Sequence, residues 1–281
     1  MERSSSTERF QPVTSEKSNQ GVEVTPDLYC HTIQIVNIIF YGKPDEGDWV
    51  LIDAGMPKSG KKIVEAAVAR FGSHRPPKAI IMTHAHFDHV GGLIDVLEEW
   101  KDVPVYAHEL EMPYITGKQD YPQPDTLVEG GMVAKMSFMF PIEAVDIGER
   151  AHVLPTDHSV PFMPGWKWIH TPGHSTGHVS LFRESDHALI AGDAFVTVKQ
   201  DSLYKVFTQE LEMNGPPRYL TPDWESAEQS VKSLAALKPE IAITGHGVPV
   251  TDASWLQIEL DNLANRFKNV AVPNYGKFVD E

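Results

Sequence analysis

The sequence predicts a layered α/β (α+β) fold, and three observations predict it. Short runs rich in β-branched and aromatic residues alternate with stretches whose apolar positions recur at helical spacing. Both halves of the chain share one order, strands first and then helices alternating with strands. Hydrophobic residues make up 41% of the 281 positions, enough for a sizeable core, and charged residues 22%, which argues against global disorder.

Residues 1–21 are polar and read as a flexible lead-in; residues 22–281 read as one domain, with no repeat and no linker to split it. Leu28 to Tyr41 (LYCHTIQIVNIIFY) predicts one or two strands, and Trp49 to Ile52 a short buried one that ends at Asp53-Ala54-Gly55. A helix over Ser59 to Phe71 follows from Ile63, Ala67, Val68 and Phe71. Ala79 to Met82 is a strand, Leu93, Leu97 and Trp100 mark a second helix, and Val103 to Ala107 is a strand again. The pattern then breaks. Residues 109–165 are rich in Pro, Gly, Met and Phe, and an irregular stretch of that length is usually a lid or a binding wall. Met132, Met136, Phe138 and Met139 suit either the core of an inserted helix or a wall facing substrate. Asp120 and Asp125, among prolines, read as turn residues. Strands are expected again at Trp166 to His170, Val179 to Phe182, Ala188 to Ala191 and Glu240 to Ile243. Between the last two lies a helix with Thr221 as its cap, Pro222 in its first turn and Asp223 near its positive end. A final helix runs from Asp252 to Lys268.

The net charge is −15, from 24 basic and 39 acidic residues, and no run of Lys and Arg interrupts it. Such a surface repels phosphate backbones, so nucleic acid is not an expected partner. No apolar stretch is long enough to span a bilayer, and the lead-in lacks the apolar segment of a signal peptide. A soluble cytoplasmic protein without membrane partners is therefore the expectation. Cys30 is the only cysteine, so no intramolecular disulfide forms, and its apolar neighbours mark it as a core residue rather than a nucleophile.

The chemistry concentrates in Thr83-His84-Ala85-His86-Phe87-Asp88-His89, followed by Gly91-Gly92, between an expected strand and an expected helix. Three histidines and an aspartate fall within six residues, and imidazole and carboxylate are the ligands zinc takes when sulfur is absent. At a strand end His84 and His86 can point the same way, while the adjacent Asp88 and His89 diverge and can serve two neighbouring ions. The two glycines are expected to let the chain turn tightly into the helix. Further ligand candidates stand after three other strands: His174 in TPGHSTGH, Asp193 in Gly192-Asp193, and His246 in Gly245-His246-Gly247, each flanked by glycine. His178, four residues after His174, reads as a supporting residue.

HAHFDH, TPGHSTGH, GD and GHG in this order resemble the metallo-β-lactamase superfamily over most of the chain, from about Asp53 to His246. The resemblance implies an αββα four-layer sandwich with the metals at one edge. It implies that His84, His86 and His174 hold a first metal, that Asp88, His89 and His246 hold a second, and that Asp193 bridges both together with a water or hydroxide. The ions implied are two zincs per chain, with iron or manganese as alternatives. Asp53 resembles a family residue that braces the ligating histidines. Asp88 is the expected catalytic residue, taking a proton from the nucleophile and passing it to the leaving group.

The pattern is similar to the glyoxalase II-like and lactonase-like branches. Family members that hydrolyse antibiotics usually have Cys, or no carboxylate, where Asp193 stands; flavodiiron proteins usually have Glu where His86 stands. Some lactonases have Tyr where this chain has Val196. The resemblance therefore implies hydrolysis of a small ester, lactone or thioester, with a mononuclear iron persulfide dioxygenase or a phosphodiesterase of the same fold as alternatives. The expected partner is a small-molecule substrate, and a homodimer is left open.

Overall fold

The computed structural model describes residues 14–73 and 75–279. They fall into two compact units, one made of the described residues up to 122 with 141–164, the other of residues 123–140 with those described from 165 on.

The first unit is built on a seven-stranded sheet. Its strands are β1 (Gln20–Thr25), β2 (Leu28–Ile33), β3 (Val36–Tyr41), β4 (Val50–Ile52), β5 (Ala79–Ile81), β6 (Val105–Ala107) and β7 (Ala151–Val153), which neighbour one another in that order. The first four pair antiparallel and the last four parallel. Helix α1 (Gly60–Phe71) connects β4 to β5. The short helices α2 (Phe87–Val90) and α3 (Leu93–Glu99) connect β5 to β6, and α4 (Met112–Ile115) follows β6. Val50, Leu51, Ile52, Ala79, Ile80 and Ile81 are all buried, as parallel strands covered on both faces require. Ile63, Ala67 and Phe71 put one stripe of α1 into the core, where the Phe71 ring stacks on Trp49 with centroids 4.5 Å apart and an interplanar angle of 10°.

The second unit carries a four-stranded sheet in the order β11 (Ile241–Thr244), β10 (Ala188–Gly192), β9 (Val179–Arg183), β8 (Trp166–His170). Its helices are α5 (Gly131–Met136), α6 (Leu203–Thr208), α7 (Trp224–Ala236) and α8 (Ala253–Val270). Val231 and Leu234 of α7 and Leu256, Leu260, Leu263 and Phe267 of α8 meet Leu189, Ala191 and Ala242 of the sheet in one core. None of the helices in the described residues is long and apolar enough to cross a membrane.

The structure departs from the sequence expectations at several places. The first 13 residues of the expected lead-in lie outside the described residues. Gln20 and Gly21, at its end, are already in β1, opposite Thr32 and His31. Thr221 does not cap α7: Asp223 does, its carboxylate accepting the Ser226 amide at 2.9 Å. Residues 109–165 are not wholly irregular. They contain α4, α5, three 3₁₀ turns and the strand β7, whose three residues, one half-buried and two exposed, are too few to show a strand pattern. Gly91 and Gly92 sit at φ −60° and −90°, ordinary values for any residue. They are needed for room. A Cβ on Gly91 would lie 2.2 Å from the Pro57 nitrogen, and one on Gly92 2.5 Å from the Ala54 carbonyl.

Candidate metal centre

The seven sequence-predicted ligands are all buried, four in the first unit and three in the second. In each unit a parallel strand pair sets the geometry. Such pairs end side by side, so residues just past their carboxyl ends meet.

In the first unit β4 and β5 pair in parallel with Ile52 opposite Ile81, which brings Asp53 beside Thr83. The Asp53 carboxylate accepts three hydrogen bonds: the Thr83 amide at 2.8 Å, the Thr83 hydroxyl at 2.7 Å and Nδ1 of His89 at 2.8 Å. Asp53 reaches these partners from a left-handed backbone, φ 59°, which aspartate tolerates better than most side chains. This is the bracing geometry that the resemblance implies for it.

Those bonds fix two imidazoles. The single hydroxyl proton of Thr83 goes to Asp53, so towards His84, whose Nδ1 lies 3.1 Å away, the oxygen accepts. His84 and His89 therefore donate from Nδ1, which leaves Nε2 as the nitrogen by which each can ligate a metal. One ligand atom of His84 lies within 4.8 Å of one of His86, and the same holds for His84 with His89 and for Asp88 with His89.

The loop that carries these residues has its own support. The Ala85 amide, between His84 and His86, donates to the Glu111 carboxylate at 2.9 Å and to the Tyr121 hydroxyl at 3.1 Å. Tyr121 donates in turn to Glu111. Its ring lies against that of His86, with centroids 4.3 Å apart. Burial, reinforced by the Glu111 charge, pushes the Tyr121 phenol well above its ordinary pKa, so it stays a donor.

In the second unit β10 and β11 pair in parallel with Gly192 opposite Thr244, which brings Asp193 to His246 with Oδ2 and Nε2 3.3 Å apart. His174 stands in the connection between β8 and β9, its Nε2 3.5 Å from the same Asp193 oxygen. Gly173, just before it, has φ 131° and touches α7 so closely that a Cβ would lie 2.4 Å from the Ala227 amide nitrogen. Thr221, displaced from its expected capping role, gives its hydroxyl proton to the Pro217 carbonyl at 2.8 Å. It therefore accepts from Nδ1 of His174 at 3.1 Å, which leaves Nε2 as the ligating nitrogen of His174 too. Nε2 of His174 and the Asp193 carboxylate thus stand 3.5 Å apart, close enough for one cation to hold both.

His178 holds the Asp193 backbone. The Asp193 amide donates to its Nε2 at 2.9 Å. The rest of the chain of bonds then runs one way: Nδ1 of His178 to the Thr171 hydroxyl at 2.8 Å, Thr171 to Ser180 at 3.0 Å, and Ser180 to the Ala191 carbonyl at 2.9 Å. The sequence identified His178 as a supporting residue but gave no sign of its partners. It gave no sign at all of Glu111 or Tyr121.

Other sequence candidates stay outside this chemistry. Cys30 is buried in β2, and burial raises its thiol pKa far above the ordinary range, so it stays protonated. Asp120 and Asp125 each accept a backbone amide, from Ala144 at 2.8 Å and Leu127 at 2.9 Å. Of the irregular segment's apolar residues, Met132, Met136, Phe138 and Met139 are exposed and Met163 is buried.

The family model of the metallo-β-lactamase superfamily matches residues 31–246. The chain is 48% identical over 264 residues to the probable metallo-hydrolase YflN of Bacillus subtilis (strain 168), covering 93% of this chain and 98% of that one. It is 28% identical over 169 residues to the hydroxyacylglutathione hydrolase of Erwinia tasmaniensis, covering 60% of this chain and 51% of that protein. Among solved structures, TTHA1623 in a di-iron-bound form superposes with a TM-score of 0.54 at 25% identity, over 80% of this chain and 93% of that one. Motifs, strand topology and these likenesses agree: the chain belongs to the metallo-β-lactamase superfamily, has its fold, and is an enzyme.

Proposed function

We propose that this enzyme hydrolyses a small ester, lactone or thioester at a dinuclear zinc centre. The observation that carries the reading is the way its histidines are held. His84, His89 and His174 each engage Nδ1 with a neighbouring oxygen and so leave Nε2 as the nitrogen that can ligate a metal, and that of His174 lies 3.5 Å from the Asp193 carboxylate. Imidazole and carboxylate without sulfur suit zinc, and also iron or manganese. On this reading His84, His86 and His174 would hold one ion, Asp88, His89 and His246 the other, and Asp193 would serve both.

Two zinc ions bound by these donors would acidify a water to near-neutral pKa and polarise the substrate carbonyl. The chain's own residues do the rest. Asp88 takes the proton of the attacking water and delivers it to the leaving oxygen or sulfur. Asp193 is held in place through its amide by His178. Thr83, Asp53 and Thr221 keep the imidazoles oriented without sharing in the chemistry. The exposed Met132, Phe138 and Met139 are assigned to the wall that receives the organic part of the substrate, since thioether side chains adapt to varied shapes. Met132 lies in helix α5, which packs through Val133 and Ala134 on Tyr219, two residues before Thr221, and Phe138 and Met139 lie in the 3₁₀ turn that follows it.

The likeness to a hydroxyacylglutathione hydrolase supports the thioester among the three substrates, because an acylglutathione is one. The acidic surface supports a small substrate over a polynucleotide. The test is a screen of metal-quantified protein against lactones, thioesters, aryl esters and phosphodiesters. Turnover of one of the first three, lost on chelation and restored by zinc, is the expected result. One iron per chain with oxygen uptake on a persulfide would overturn the reading, as would turnover of phosphodiesters alone.

A further inference from the structure

We propose that Glu111 and Tyr121 are positioning residues for the metal ligands His84 and His86, acting through the Ala85 amide and the face of the His86 ring. The inference rests on the reading that these two histidines bind metal.

Ala85 is the one residue between the two histidines, and its amide direction is tied to theirs. Successive side chains in an extended strand end leave on opposite sides, so the backbone orientation at Ala85 sets where His84 and His86 point. That amide is buried and needs an acceptor. No acceptor is supplied from the motif itself. Glu111, 26 residues later, brings a carboxylate to 2.9 Å, and Tyr121, 36 residues later, brings its hydroxyl to 3.1 Å. The two acceptors are locked to each other by the Tyr121–Glu111 hydrogen bond.

Both are built in firmly. Glu111 is fully buried, a placement that costs heavily for a carboxylate unless donors meet it, and here the Ala85 amide and the Tyr121 phenol do. Tyr121 is held from behind by the stacked ring of Tyr114, centroids 3.9 Å apart at 19°, and its own amide donates to the Ile142 carbonyl at 2.8 Å. Its ring then presents a face to His86 at 4.3 Å and 43°, limiting how that imidazole can rotate. The Tyr121 ring thus restrains His86 as the Asp53 carboxylate and the Thr83 hydroxyl restrain His89 and His84. The irregular segment is thus joined to the metal motif from its first turn.

The experiment compares the wild-type enzyme with E111Q, E111L and Y121F, reading zinc affinity by chelator competition and zinc content by elemental analysis, with thermal unfolding of each metal-free form alongside. Glutamine keeps an acceptor for the Ala85 amide, leucine does not. E111L is expected to bind zinc at least about tenfold more weakly, the usual scale for losing a group that orients ligands, with E111Q rescuing most of the loss. A purely structural role would instead lower the unfolding temperature and leave affinity unchanged. Wild-type affinity in folded E111L overturns the proposal. Should E111L fail to fold, Y121F decides, weaker binding supporting the proposal and wild-type affinity overturning it. A wild-type enzyme that takes up no zinc, iron or manganese would show that the dinuclear reading itself is wrong, and this proposal would fall with it.

Discussion

The Thr221 hydroxyl lies 3.1 Å from Nδ1 of His174 and 2.8 Å from the Pro217 carbonyl, and it has one proton to give. The carbonyl can only accept, so His174 must donate from Nδ1, and its Nε2 is the nitrogen that faces Asp193. T221V keeps the volume and removes the acceptor. Zinc affinity is expected to fall about 10–100-fold, while T221S stays near wild type. Chelator competition on the purified variants measures both.

Asp88 has a different job. If it moves the proton of the attacking water, D88N loses most turnover while metal content falls only in part, because the amide keeps one donor oxygen. Steady-state kinetics paired with elemental analysis separates the two effects. Intact activity in D88N contradicts the proton-transfer role.

His178 receives the Asp193 amide at Nε2. Glutamine can place an acceptor near that position and leucine cannot, so H178Q is expected to keep more metal affinity than H178L. Equal affinities in the two variants contradict the account of how Asp193 is held.

Phe71 tests the scaffold apart from the chemistry. It is buried against Trp49 and Phe40, in the first core cluster. F71A is expected to cost about 3–5 kcal/mol of unfolding free energy. Denaturant titration checks the size, and the zinc bound per folded chain is expected not to change.

The site was legible where its signals are local. His84, His86, Asp88 and His89 fall in six residues, and the strands before them are short apolar runs whose parallel pairing brings the loops together. What escaped the sequence is long-range or directional. Thr221 and Asp223 are both cap-forming types two residues apart; only the backbone shows that Asp223 takes the Ser226 amide and leaves Thr221 for His174. Gly91 and Gly92 suggested unusual backbone angles, yet the constraint is the nearness of Pro57 and Ala54. Glu111 and Tyr121 sit in a segment with no periodicity, and nothing local connects them to a loop 26 and 36 residues earlier. β7 was missed because an edge strand of three residues has no alternation to read.

Seven buried ligands are assigned to two metal ions, and that stoichiometry can be counted. Elemental analysis of the full-length enzyme, saturated with zinc and freed of excess, tests it most directly. The account predicts two zincs per chain, falling towards one in H246A. One zinc or none in the wild-type enzyme would contradict it.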